Sequence, residues 1–136
     1  MTKRNKSKIF VLPVVAVCLV FLIMLLNPAL DKRIIPANFF LAENIGFGNV
    51  EGEILFGAIQ GNQTAARSII VSNDFKKDVL ISIESSGEIS DHLIASENNF
   101  ILIPNESREI TFTIYTHGLT EYREYRGKII IVSRRA

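Results

Sequence analysis

Cysteine is almost absent from this chain: the only one in 136 residues is Cys18. With no second thiol, no intrachain disulfide can form and no cysteine zinc site can be built. A small exported domain without bridges must hold itself together by its core, which prokaryotic surface domains do more often than eukaryotic secreted ones. Tryptophan is missing, and the two histidines, His92 and His117, stand alone in SDHL and YTHGL. Neither has a metal-binding partner at helical spacing, so both read as turn or surface residues, and no metal or cofactor is expected. No G-x-S-x-G elbow surrounds any serine, and the glycines of GFG and GEILFG precede no helix. Acyl-transfer machinery and a phosphate cradle therefore have no sequence support, and no small-molecule substrate is evident.

Charge is also missing where it would normally fall. Ile9 to Leu26 is an eighteen-residue run without a charged residue, and only Pro13 in it is not plainly apolar. As a helix it would measure about 27 Å, close to the hydrocarbon thickness of a bilayer. Secretory leaders have shorter apolar regions and end in small residues. Here the exit reads NPALDKRIIPAN and has no A-x-A pattern. The expectation is a retained transmembrane helix over 9–30. It follows a basic tail over 1–8, where Lys3, Arg4, Lys6 and Lys8 put the N-terminus in the cytoplasm. Cys18 follows Val15-Ala16-Val17, a loose likeness to a lipidation box. Val17 is too large for that motif and the run continues past it, so the plain reading is a membrane-facing or helix-packing cysteine. The alternative for the whole segment is a cleaved leader, giving a secreted or pilin-like subunit.

After Ala37 the balance turns acidic, with nine basic and thirteen acidic residues. That argues against a nucleic-acid partner, because neutralising phosphates requires clustered Lys and Arg. The periodicity changes as well. Glu106–Thr116 alternates strictly, with Ile110, Phe112 and Ile114 on one face, and Asp78–Glu84 puts Val79, Ile81 and Ile83 together. Glu53–Gly57, Ser68–Ser72, Asn99–Ile103 and Lys128–Ser133 are further β-rich runs between turn residues. Their spacing indicates short antiparallel connections, because parallel strands need longer crossovers. The expected fold is mainly β: one N-terminal transmembrane helix, a linker over 31–43, and a seven-stranded antiparallel sandwich over 44–136. Ile34–Asn49 is ambiguous. It reads as a first strand, or as a short helix packing Phe39, Phe40 and Leu41 on one end of the sandwich.

Phe56-Gly57, the alternating Ile69, Val71 and Asn73, Pro104, and Gly127 with Ile129 and Ile131 form a pattern over about 80 residues. It resembles the immunoglobulin-like sandwich of the broad PapD, major sperm protein and Hydin-related group. That resemblance implies chaperoning, peptide recognition or structural spacing rather than catalysis. The single domain and the N-terminal anchor differ from the two-domain pilus chaperones and from the C-terminally anchored contact-site proteins, so neither specific activity carries over.

Three candidate features remain. Asn62 and Asn105 head N-x-[ST] sequons in expected loops, and Asn5 heads a third on the cytoplasmic side. Tyr122, Arg123, Tyr125, Arg126 and Lys128 form an aromatic and basic cluster, either a contact patch for an acidic partner or polysaccharide or a strand-edge turn with Tyr125 packed as a corner residue. Glu106, Glu109, Glu121 and Glu124 are the carboxylates a small enzyme would have to use. The overall expectation is a non-catalytic module on the cell membrane, its C-terminal domain extracytoplasmic, contacting another envelope or surface protein.

Overall fold

The computed structural model describes residues 7–26, 28–43 and 52–136. The basic residues Lys3, Arg4 and Lys6, the Asn5 sequon and most of the AENIGFG stretch lie outside the described residues. Helix α1 runs Ser7–Leu26. Every α1 side chain the structure describes (15–23, 25 and 26) is exposed. That subset is shorter than a bilayer, and among the described residues no helix is long and apolar enough to cross a membrane.

Eight strands follow: β1 Ala29–Leu41, β2 Ile54–Ile59, β3 Thr64–Ser72, β4 Val79–Gly87, β5 Leu93–Ala95, β6 Phe100–Leu102, β7 Ser107–Tyr115 and β8 Glu124–Arg135. They form two sheets, in the orders β2-β1-β8-β4-β6 and β3-β7-β5. The inner faces close on each other as alternation requires. Ile35, Ala37, Phe39 and Leu41 of β1, Val79, Ile81 and Ile83 of β4, Ile110, Phe112 and Ile114 of β7, and Ile129 and Ile131 of β8 are all buried. At one side of the sandwich β2 touches β3, and the Arg67 Nε–H donates to the Leu55 carbonyl across the gap (3.1 Å). At the other side β5 and β6 are joined by only residues 96–99.

Three expectations need correcting. The sandwich has eight strands among the described residues where seven were expected, the added one being the three-residue β5. The segment taken as a linker, 31–43, is mostly strand, and residues 29 and 30, assigned to the membrane helix, begin that strand. Asp31-Lys32-Arg33 and Pro36 disguised it. These residues are exposed, and Pro36 is tolerated because β1 gains its second neighbour only from Ala37, paired with Ile54. The sheet is also not wholly antiparallel: β1 and β2 pair in parallel. The connection over 42–53 spans twelve residues, about the length a parallel crossover requires. The register of this pair slips between Asn38 and Phe40, where Gly57 adopts φ +81 and supplies the extra residue of a bulge.

Gly87 and Gly127 sit opposite each other in β4 and β8. A Cβ on Gly87 would lie 2.8 Å from the Gly127 Cα, and one on Gly127 would collide with the Ser86 carbonyl and the Ile89 side chain. The pair leaves room for Ile89, fully buried beside the 3-10 turn Ser90–His92, to fill that end of the core.

Candidate contact surfaces

The strand termini define two ends. At the helix-side end lie the start of β1, the end of β8, the 73–78 turn and the 103–106 turn. At the far end lie the end of β1, the start of β8 and the turns after β4 and β7. Of the two sequon asparagines, Asn62 sits in the turn before β3 at the far end and Asn105 at the helix-side end. Both are exposed, with φ +59 and +63.

The aromatic and basic cluster is divided between core and surface. Tyr125 is buried and stacks on Phe39, rings 4.8 Å apart and nearly parallel, with the His92 ring edge-on to it. Its hydroxyl donates to the Glu121 carbonyl (3.2 Å). Arg123 lies over the Tyr125 ring (4.2 Å) and donates to Glu88 (2.7 Å) and Glu121 (2.9 Å). The guanidinium of Arg123 and the backbone N–H of Arg126 hold the Glu88 carboxyl below its usual range. Hydrogen bonds to Glu121 and Glu88 raise Arg123 further. Tyr122 is exposed beside this knot.

Arg126 and Lys128 face outward from the five-stranded sheet. In register they meet Asn38 and Pro36 of β1, and Lys128 also meets Ser86 of β4. Together these side chains line an open depression of about 570 Å³, with Glu53 and Glu124 on its walls. The Asn38 Nδ2–H donates to Glu124 (3.0 Å), and Arg126 pairs with the same carboxylate. The hydrogen bond from Arg126 to Glu124 raises the Arg126 pKa. The depression presents mixed charge: Arg126 and Glu124 are paired, and among the described residues neither Lys128 nor Glu53 is in an ion pair.

The four carboxylates considered for acid–base work are not brought together. Glu106 accepts from the Ile103 N–H (3.0 Å) and from Arg108 (2.8 Å) at the helix-side end, contacts that lower its pKa. Glu109 lies in β7, where it pairs with Ile70. Glu121 and Glu124 are at the far end. Among the described residues no group of three or more His, Cys, Asp or Glu stands close enough to hold a metal ion. His117 is exposed in the turn after β7.

Two features were not identified from the sequence. One is a row of outward apolar side chains at the β6 edge: Ile101 and Ile103 are more than half exposed, with Leu80 of β4 paired beside Ile101. The sequence carried the signal, because in NFILIP the isoleucines alternate with the inward Phe100 and Leu102. The other is the role of Asn73, which the sequence marks only as the end of an alternating run and which is 1% exposed. Its Nδ2 donates to the Lys77 and Leu102 carbonyls (2.8 and 2.9 Å), and its Oδ1 accepts from the Phe75 N–H (3.0 Å). It is a clamp between the 73–78 turn and the end of β6.

The two-layer β architecture is compatible with an immunoglobulin-like sandwich. No family model matches the chain, and neither the curated proteins nor the solved structures include a match.

Proposed function

We propose that the chain is a non-catalytic module held at the cell membrane by α1, with its sandwich outside the cytoplasm, where it binds another envelope or surface protein. The anchor reading is supported by the uncharged run Ile9–Leu26 and by the exposure of every described α1 side chain, which leaves that apolar surface in need of cover. A sandwich of the PapD, major sperm protein and Hydin-like kind suits such a role. The observation that carries the binding reading is the β6 edge. It is the last strand of its sheet and bears Ile101 outward, and Ile103, directly after the strand, is exposed beside it. A strand at a sheet edge can accept an added strand, with alternate side chains supplying specificity.

A photo-crosslinker in place of Ile101, in cells expressing the full chain, tests this. A discrete adduct is expected, lost in the Ile103→Lys variant while near-ultraviolet circular dichroism is unchanged. Absence of any adduct in the native membrane would reject strand addition at this edge.

A further inference from the structure

The sandwich is electrically lopsided. Lys32 and Arg33 open β1, Arg134 and Arg135 close β8, and Lys76 and Lys77 occupy the turn before β4. The register draws them to one end. Arg134 stands between Ala29 and Leu80, Arg135 is paired with Val79, and the Ala136 N–H reaches the Asp78 carbonyl (3.3 Å). Among the described residues none of these six basic side chains is in an ion pair, whereas Arg108, Arg123 and Arg126 all are. Asp31, Asp74, Asp78 and Glu106 share the end; one Asp31 carboxylate oxygen accepts from the Lys32 N–H (2.8 Å), and Glu106 is paired with Arg108. The remaining acids lie mostly elsewhere, several of them at the far end.

This basic end is also the end attached to α1. The helix stops at Leu26 and β1 starts at Ala29, so covalent reach keeps Ala29 within roughly 11 Å of the last helical residue. We infer that the collar of Lys32, Arg33, Lys76, Lys77, Arg134 and Arg135 docks the sandwich onto anionic lipid headgroups around its own anchor. The inference rests on the membrane reading above. Its physical basis is charge complementarity at short tether. Each basic side chain at an anionic surface multiplies the docked-to-free ratio about fivefold, and the attraction fades within a Debye length.

The test uses the full chain, Cys18→Ser and Ala136→Cys, labelled with bimane and reconstituted in vesicles containing a headgroup-nitroxide lipid. A second protein labelled at Thr120→Cys, in the turn after β7, reports the far end. Vesicles with about a third phosphatidylglycerol are expected to quench the label at 136 more than purely zwitterionic ones, and the label at 120 less. The difference should vanish between ~0.05 and ~0.5 M salt. Replacing Lys32, Arg33, Arg134 and Arg135 by Gln should lower the docked-to-free ratio about six-hundredfold. Equal quenching at 136 in both lipids, or a quadruple variant that behaves like its parent, overturns the inference. Flotation with the vesicles after alkaline carbonate extraction reports the anchor separately. A chain that floats but shows no lipid dependence removes the collar and leaves the anchor standing, whereas a chain that does not float in either lipid removes both.

Discussion

Asn73 offers the sharpest check on how this sandwich is held. Replacing it by Ala removes three hydrogen bonds and leaves the Leu102 carbonyl, in buried surroundings, without its donor. At about 1 kcal/mol per bond, with the stranded carbonyl adding to it, the loss is about 3–4 kcal/mol. For a domain of this size that lowers Tm by on the order of 15 °C. Asn73→Asp is the more discriminating change. The aspartate keeps the acceptor facing the Phe75 N–H but turns an acceptor-only oxygen toward two carbonyls. Burial and those carbonyls raise its pKa in the folded state above the unfolded value of about 3.9. The unfolded chain then releases its proton first as pH rises, and stability falls progressively above about pH 4. The Asp variant should be worse than Ala at about pH 7 and should approach or surpass it near pH 4, where the protonated carboxyl donates again. Thermal unfolding of the full chain in detergent micelles, followed by near-ultraviolet circular dichroism of the tyrosines, reads this directly. An Asp variant as stable as the parent at about pH 7, or a deficit that does not shrink toward pH 4, would refute the clamp.

Two further expectations follow from the same geometry. Gly127→Ala drives a methyl into the Ser86 carbonyl and Ile89, so it should cost about 2–3 kcal/mol in the same melt, while Gly52→Ala, with open space around its Cβ position, should show backbone strain alone. Glu88→Gln removes a carboxylate whose pKa is depressed by Arg123. The stability contributed by that depression is present above the usual carboxylate range and is lost as pH falls through the lower folded value. The variant should therefore show a shallower acid limb in a pH series of melts, and an unchanged limb would remove the Arg123–Glu88 pair from the account.

The parts of the fold legible in sequence are those where one face is buried and the other solvated. ESREITFTIYT and DVLISIE announce β7 and β4 because alternation there is nearly unbroken. β1 was legible only as one of two readings of 34–49, because only its second half has that pattern. Asp31, Lys32 and Arg33 face water on a stretch without a β2 neighbour, so they look like linker. β5 was hidden by its three-residue length. The candidate surfaces were legible only in composition. Sequence groups Tyr125 with Arg126 and Lys128 and leaves open whether Tyr125 is patch or packed corner; the pleat sends it into the core against Phe39 and leaves Lys128 outward beside Pro36. Asn73 reads as a turn residue in SND, and nothing local reveals that the end of β6, about thirty residues on, needs its amide.

The position of β1 has a mechanical consequence. It is the first strand of the chain yet lies inside its sheet, and its start is registered against the end of β8. Tension between α1 and anything gripping the far end loads the β1–β8 ladder in shear, so all its rungs resist together. Tension between α1 and the C-terminus pulls both strands from the same end and opens the rungs singly, from Ala29 and Arg134 inward. The domain is built to bear force delivered through its far end or its flank, and to peel under force applied through its own tail.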